Sequence, residues 1–370
     1  MTTIQKPRLH YFDMLKGIAI FMVVMGHILT MCVRELDRAA IFKFIGEIHM
    51  PLFFFISGWF CFRFDNAGAI KFPDIKKRAL QLLVPMVAVS SIWIYYFPHS
   101  GIQSPLVSTW DGLWLNEWKN GYWFTLVLFE IILLAAASAP FIFRFTKAAT
   151  SLAATAVISA FLIWVAVGFG NSPAMSVLSF SLTASFYPAF MAGAIARKHS
   201  ESFGRLVSGS GCMTLSILAA GILLYYVCWY WEFPFIPQWG PMAARPLLHI
   251  ALAIIAIGIV KPWSEKAFAT GRTPGRMADM WRFIGSRSLA IYLLHYFFLF
   301  PMPGMRPLLE SVGLGLVPLL VFSAFWAALV IAVTLCANYI ISFSRPLALL
   351  LTGTMPASDK NGGRIKQESK

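Results

Sequence analysis

Apolar runs of about twenty residues, separated by short polar or Pro- and Gly-containing stretches, recur along the whole sequence. Coiled as an α-helix, a run of that length matches the hydrocarbon core of a bilayer. About ten can be counted, at roughly 12–33, 46–63, 79–98, 121–143, 149–169, 175–196, 211–231, 244–262, 283–301 and 315–343. The expected fold is all-α: a polytopic membrane protein of about ten transmembrane helices. Only 12% of the residues are charged, against about 25% in soluble domains, which excludes a soluble enzyme with an ordinary polar surface.

The net charge of +14 could suggest a nucleic-acid partner, but its distribution points elsewhere. With the N-terminus placed in the cytoplasm, about 23 of the 30 Lys and Arg fall on inside segments and about six on outside ones. The basic balance is therefore a topology signal, with both termini cytoplasmic, and no nucleic acid is expected as a partner. The basic start and first apolar run lack a small-residue cleavage site, so this run is expected to be retained as a helix. Cys32, Cys61, Cys212, Cys228 and Cys336 form no CxxC pair and read as small core residues. Residues 1–345 are expected to form one transmembrane domain and 346–370 a cytoplasmic, mostly disordered C-terminal tail, ending in the polar "ASDKNGGRIKQESK".

Two connecting segments carry possible function. The outside stretch 100–124 holds Trp110, Trp114 and Trp118 at i, i+4, i+8, one face of a helix. Such a face serves as an interfacial anchor or as a platform for a sugar ring. The inside stretch 261–282, "KPWSEKAFATGRTPGRMADMWR", offers basic residues and glycines to an anionic cofactor, though positive-inside sorting also accounts for its charge. It lacks GxxxxGK[ST] and is not that kind of phosphate loop.

The first run, "YFDMLKGIAIFMVVMGHILTMCV", contains Asp13, Lys16 and His27. At about 100° per residue Lys16 and His27 point within about 20° of one another and Asp13 about 40° away, so all three share a face. Lys16 and His27 are separated by about 16 Å along the axis and cannot touch. Snorkelling explains a Lys near a helix start, and a buried His can be purely structural. Other polar groups recur at similar depth, however: His49 opens "HMPLFFFISGWF", and Ser288, Tyr292 and His295 are spaced i, i+4, i+7 in "FIGSRSLAIYLLHYFF". Ionisable groups at membrane depth are costly and mark functional sites. A neutral imidazole suits general-base work on a hydroxyl. No HxxxH or HxxEH spacing is present, and no metal site is expected.

These residues, taken with the blocks around them, resemble the integral-membrane acyltransferase-3 family, bacterial proteins of about ten helices that mostly O-acylate sugars of the cell envelope. "FDMLKGIAIFMVVMGH" resembles the family's first-helix pattern of a basic residue, ten residues, then His, with Lys16 where Arg is common. "HMPLFFFISGWF", with Phe54, Ser57 and Gly58, is similar to its second-helix block. "KKRALQLLVP" is similar to its third, although a second arginine often found there is Gln81 here. "GYWFTLVLFE", "FYPAFMAGAIARK" and "IGSRSLAIYLLHYF" follow in the family's order.

The resemblance implies a membrane acyltransferase of the bacterial inner membrane, taking an acyl group, acetyl in the first instance, from acetyl-CoA or another acyl-CoA to a carbohydrate or glycolipid hydroxyl. His27 would be the catalytic base or acyl carrier, accompanied by Asp13, Tyr292 and His295. Lys16, Arg78 and Arg287 would hold the donor's phosphates; Ser57, His49, Tyr122 and Trp123 would meet the acceptor, with Ser57, Tyr122 or Tyr292 binding the oxyanion. Some members carry an added esterase-like domain; this chain is expected to complete the transfer itself. A secondary transporter of a lipid-linked or small anionic substrate is the competing reading, and a structural envelope subunit a third. Oligomeric state and acceptor identity are not legible in the sequence.

Overall fold

The computed structural model describes residues 9–32, 40–65, 68–99, 109–170, 172–208, 240–269, 274–302, 304–311 and 316–354, with isolated positions between 217 and 224. Helix dominates because a chain this apolar has few water contacts to offer its backbone, and a helix satisfies its own N–H and C=O groups. Helix α1 (His10–His27) runs into a π-helical turn, Ile28–Cys32. Helix α2 (Ala40–Cys61) is joined to α3 (Ile75–His99) by a small antiparallel hairpin, β1 (Arg63–Phe64) and β2 (Ile70–Lys71). After α4 (Trp110–Trp114) a 3₁₀ turn, Lys119–Gly121, leads into α5 (Trp123–Ile142), α6 (Ala148–Phe169), α7 (Pro173–Val177), α8 (Phe180–Lys198) and α9 (Ser200–Val207). The remaining helices are α10 (Gly240–Ala267), α11 (Arg276–Gly285), α12 (Ser288–Leu294), α13 (Met305–Ser311), α14 (Leu316–Ser342) and α15 (Arg345–Thr352).

Seven of the described helices are long and apolar enough to cross a membrane, within α1, α2, α3, α5, α6, α10 and α14. Their outward faces are apolar: Val157, Phe161 and Trp164 on α6 and Val321 and Phe325 on α14 are more than half exposed. Helix α6 turns small polar groups inward instead. Ser151, Thr155 and Ser159, at i, i+4, i+8, are buried, each hydroxyl donating to a backbone carbonyl, of Ile142, Ser151 and Thr155 in turn. Small inward and large outward residues are the pattern of helices packed in lipid.

Two of the expected runs differ. The run at 175–196 becomes the short α7 followed by α8, which is buried on nearly every side and can therefore carry Ser, Thr and Tyr in place of lipid-facing residues. The run at 283–301 is broken: α11 stops at Gly285, α12 restarts at Ser288, and His295–Phe298 tighten into 3₁₀ turns. The run at 211–231 lies almost wholly outside the described residues. The tail expected from 346 begins as α15, which packs on α3 so closely that Gly353, at φ +65°, has no room for a methyl beside the Gln81 carbonyl. Its Leu-rich sequence gives it an apolar side to bury; residues 355–370 are outside the described set.

Two crossings set the core. Helices α2 and α8 meet at Gly58 and Gly193, where a methyl would overlap the carbonyl oxygens of Phe190 and Phe55 respectively. Helices α1 and α11 meet the same way at Gly17 and Gly285, against the carbonyls of Trp281 and Asp13. Backbones this close exclude any side chain and fix α2 against α8 and α1 against the broken helix. Cys61 and Cys336 are free thiols; the side chains of Cys32, Cys212 and Cys228 lie outside the described residues.

Candidate active site

At the end of the bundle where α1 and α12 finish and α2, α5, α8 and α10 begin, imidazoles from the first and the broken helix meet. His27 Nδ1 lies 2.8 Å from His295 Nε2, with the rings nearly parallel, 5.1 Å between centroids and 8° between planes. His295 is fully buried, and its Nδ1 lies 2.9 Å from the Ile291 carbonyl and 2.8 Å from that of Tyr292. Carbonyls only accept, so His295 carries its proton on Nδ1 and accepts at Nε2. His27 must then donate from Nδ1, which leaves its Nε2 as the basic nitrogen. The order of the network, and not an observed hydrogen, assigns these tautomers.

Tyr296 completes the chain. Its ring stacks on His27, 5.0 Å between centroids, and its Oη lies 3.4 Å from His27 Nε2. The single proton of that hydroxyl faces two acceptors, His27 Nε2 and the Gly121 carbonyl at 3.2 Å, while Tyr292 Oη donates to the same carbonyl at 2.7 Å and accepts from the Phe124 N–H at 3.1 Å. The 3₁₀ turn before α5 is therefore a clamp on both tyrosines. It is also strained: Lys119, Asn120 and Gly121 have φ of +49°, +51° and +94°. Such geometry costs about 1–3 kcal/mol per non-glycine residue and persists where the surroundings enforce it. Here the enforcement is the Lys119 ammonium, fully buried and donating to the carbonyls of Trp114, Asn116 and Ser176. Desolvation pushes that ammonium down to about 8, against the opposing pull of Glu130 and Glu117.

Of the residues expected from sequence, His27, His295, Tyr292 and Tyr122 are brought together. Tyr122 is fully buried, packs edge-on to Tyr296 at 5.1 Å, and its Oη has no hydrogen-bond partner among the described residues. His49 donates Nδ1–H to the Ile45 carbonyl. Ser57 makes no hydrogen bond to either histidine, and Trp123 faces away, stacked on Phe186 at 5.5 Å. Asp13 is not at the imidazoles: it pairs with Lys16 at 2.9 Å, about 21 Å down the helix from His27.

At the other end, a cavity of about 920 Å³ opens between α12, α14 and α15, with Arg287 and Arg345 in its wall beside Ser286, Asn338 and Tyr339. Lys16 and Arg78 are not part of that wall. Arg287 lies over the Phe283 ring at 3.8 Å and donates to the Phe283 carbonyl. The cavity reaches Ala290, five residues or about 7–8 Å along α12 from His295. In the 261–282 segment, Lys261 pairs with Glu265 and Arg282 with Asp279, while 270–273 lie outside the described residues. Among the described residues no group of three His, Cys, Asp or Glu is placed to hold a metal.

Sequence reasoning missed Tyr296 and Arg345. Tyr296 adjoins His295 in sequence, and only the 3₁₀ turn brings both neighbours to the end of α1. Arg345 opens a helix that runs into the segment expected to be tail.

Bilayer-length helices enclosing a hydrogen-bonded imidazole pair, with a cationic cavity at the opposite end, define a membrane protein built for chemistry on a buried base. The family model described as an acyltransferase domain, Acyl_transf_3, matches residues 9–337. The chain belongs to this acyltransferase-3 family. It is similar to nodulation protein NolL of Sinorhizobium fredii (strain NBRC 101917 / NGR234), 32% identical over 143 residues, covering 35% of this chain and 36% of that protein. It is also similar to nodulation protein NolL of Mesorhizobium japonicum (strain LMG 29417 / CECT 9101 / MAFF 303099), 34% identical over 134 residues, 33% of this chain and 34% of that one. Both alignments span about a third of the relative's length. No solved structure matches.

Proposed function

We propose that the protein moves an acyl group, acetyl in the simplest case, from a coenzyme A thioester to a hydroxyl of a cell-envelope carbohydrate or glycolipid in the bacterial inner membrane. The observation that carries this reading is the oriented chain His295–His27–Tyr296, which leaves one basic nitrogen beside phenol groups at membrane depth. His27 Nε2 takes the proton of the acceptor hydroxyl as its oxygen bonds to the thioester carbonyl carbon. Tyr122 Oη, which lacks a partner among the described residues, donates to the oxyanion. Collapse breaks the carbon–sulfur bond, and the proton on His27 passes to the thiolate. An acyl-His27 intermediate uses the same nitrogen as nucleophile. Arg287 and Arg345 give the donor's phosphates two guanidinium partners, and the short distance along α12 suits a pantetheine arm that reaches toward the imidazoles. In this reading both termini face the cytoplasm and about ten helices cross the bilayer.

The test is transfer of labelled acetyl from acetyl-CoA to an envelope-glycan extract by purified protein in sealed vesicles. Wild type should label glycan, and His27→Ala should lose at least about 10²-fold of that rate while remaining folded by size exclusion. Equal labelling by both would remove His27 from the chemistry. A transporter would accumulate substrate and leave no acylated product.

A further inference from the structure

A second buried polar cluster lies at the same end of the bundle as the histidine pair. Glu47 is on the outer turns of α2, and Arg245 and His249 are four residues apart on α10 and so share a face. His249 Nε2 is 2.8 Å from Glu47 Oε2, and Arg245 Nε is 3.5 Å from Glu47 Oε1. Glu47 and His249 are 5% and 6% exposed. All three line a cavity of about 300 Å³, at the lower end of small-molecule pockets, together with Trp118, Ser181 and Phe186.

The carboxylate of Glu47 only accepts, so His249 carries a proton on Nε2. Its other ring nitrogen, Nδ1, is buried and has no hydrogen-bond partner among the described residues. A buried polar atom without a partner, on a residue that lines a cavity, calls for a ligand group there. A hydroxyl satisfies Nδ1 whether that nitrogen is bare or protonated, since it can donate or accept. A carboxylate satisfies only one of those states.

The pocket has aromatic surface as well. Trp118 is 53% exposed at its edge. Phe186 is held between His249 (5.7 Å, 16°) and Trp123 (5.5 Å, 18°), which fixes the imidazole plane. Trp123 follows directly on Tyr122, which packs on Tyr296 at the His27 site. Through the Trp123–Phe186 stack, the start of α5 connects this pocket to the site of the proposed chemistry.

We propose that this pocket binds a sugar ring of the acceptor, with a ring hydroxyl on His249 Nδ1 and a ring face on Trp118, and so selects which glycan is acylated. The inference rests on the carbohydrate reading of the acceptor, but its test is binding alone, with no donor present. Purified protein in lipid nanodiscs would be examined by saturation-transfer-difference NMR against a panel of methyl glycosides of glucose, galactose, mannose and fucose. Wild type should transfer saturation to at least one glycoside. His249→Phe and Trp118→Ala should each lower that transfer at least about fivefold. Trp118 is a rim residue, so its variant stays informative if His249→Phe does not fold. Unchanged transfer in folded variants overturns the pocket assignment, as does no transfer to any glycoside by wild type. Saturation that follows His249 while no acetyl transfer is seen in vesicles would keep the pocket and reject the proposed reaction. Acetyl transfer by His249→Phe with an unchanged acceptor KM would keep the reaction and reject the pocket.

Discussion

A neutral imidazole has two nitrogens and one proton, and what it can do depends on where that proton is held. In this protein the backbone decides. The carbonyls of Ile291 and Tyr292 hold the proton of His295 on Nδ1, and His295 in turn holds that of His27 on Nδ1. If His295 acts by orienting His27, His295→Phe, which has no acceptor, should lower kcat for acetyl transfer about 10- to 100-fold. His295→Gln, whose amide oxygen can accept from His27, should retain more. The KM for acetyl-CoA should stay constant in both; equal losses in the two variants would argue against an orienting role. His27 and His295 were legible in the sequence because an ionisable group inside an apolar run is costly and stands out. Glu47 and His249 were not: Glu47 sits at the edge of a run, where headgroup depth explains a charge. Its partner is 202 residues away, beyond any helical periodicity.

At the scale of helices, the apolar runs located most of the bilayer-length elements, since hydrophobic length and helix length are tied by the rise per residue. Where that reading missed, burial on all sides had relaxed the need for apolar residues, as in α8, or a close crossing had interrupted the helix, as between Gly285 and Ser288. The glycine crossings supply a stability prediction. Gly58→Ala puts a methyl into the Phe190 carbonyl and should lower stability by about 1–3 kcal/mol. Gly168→Ala on α6, where nothing lies within 4 Å of the new methyl, should be neutral or stabilise by up to about 1 kcal/mol. Thermal melting in detergent reads both, and a Gly58→Ala protein that melts with wild type would show that α2 and α8 can part without cost.

For the molecule as a whole, the unequal spread of Lys and Arg between alternate segments gives the expectation that both ends of the chain face the cytoplasm. Protease-cleavable tags at the two termini should both be protected in intact spheroplasts and both be cut in inverted vesicles. One tag cut in spheroplasts would mean an odd number of crossings. The architecture surrounds an imidazole pair with bilayer-length helices, and the manner of its anchoring matters for a membrane. A row of imidazoles open at both ends is a conductor of protons, able to drain the gradient that a cytoplasmic membrane exists to hold. Here the row stops at two peptide carbonyls, which accept a hydrogen bond and hand nothing on. A proton that enters at His27 Nε2 can leave only by the door it came through, so the barrier stays tight to charge while its interior remains reactive.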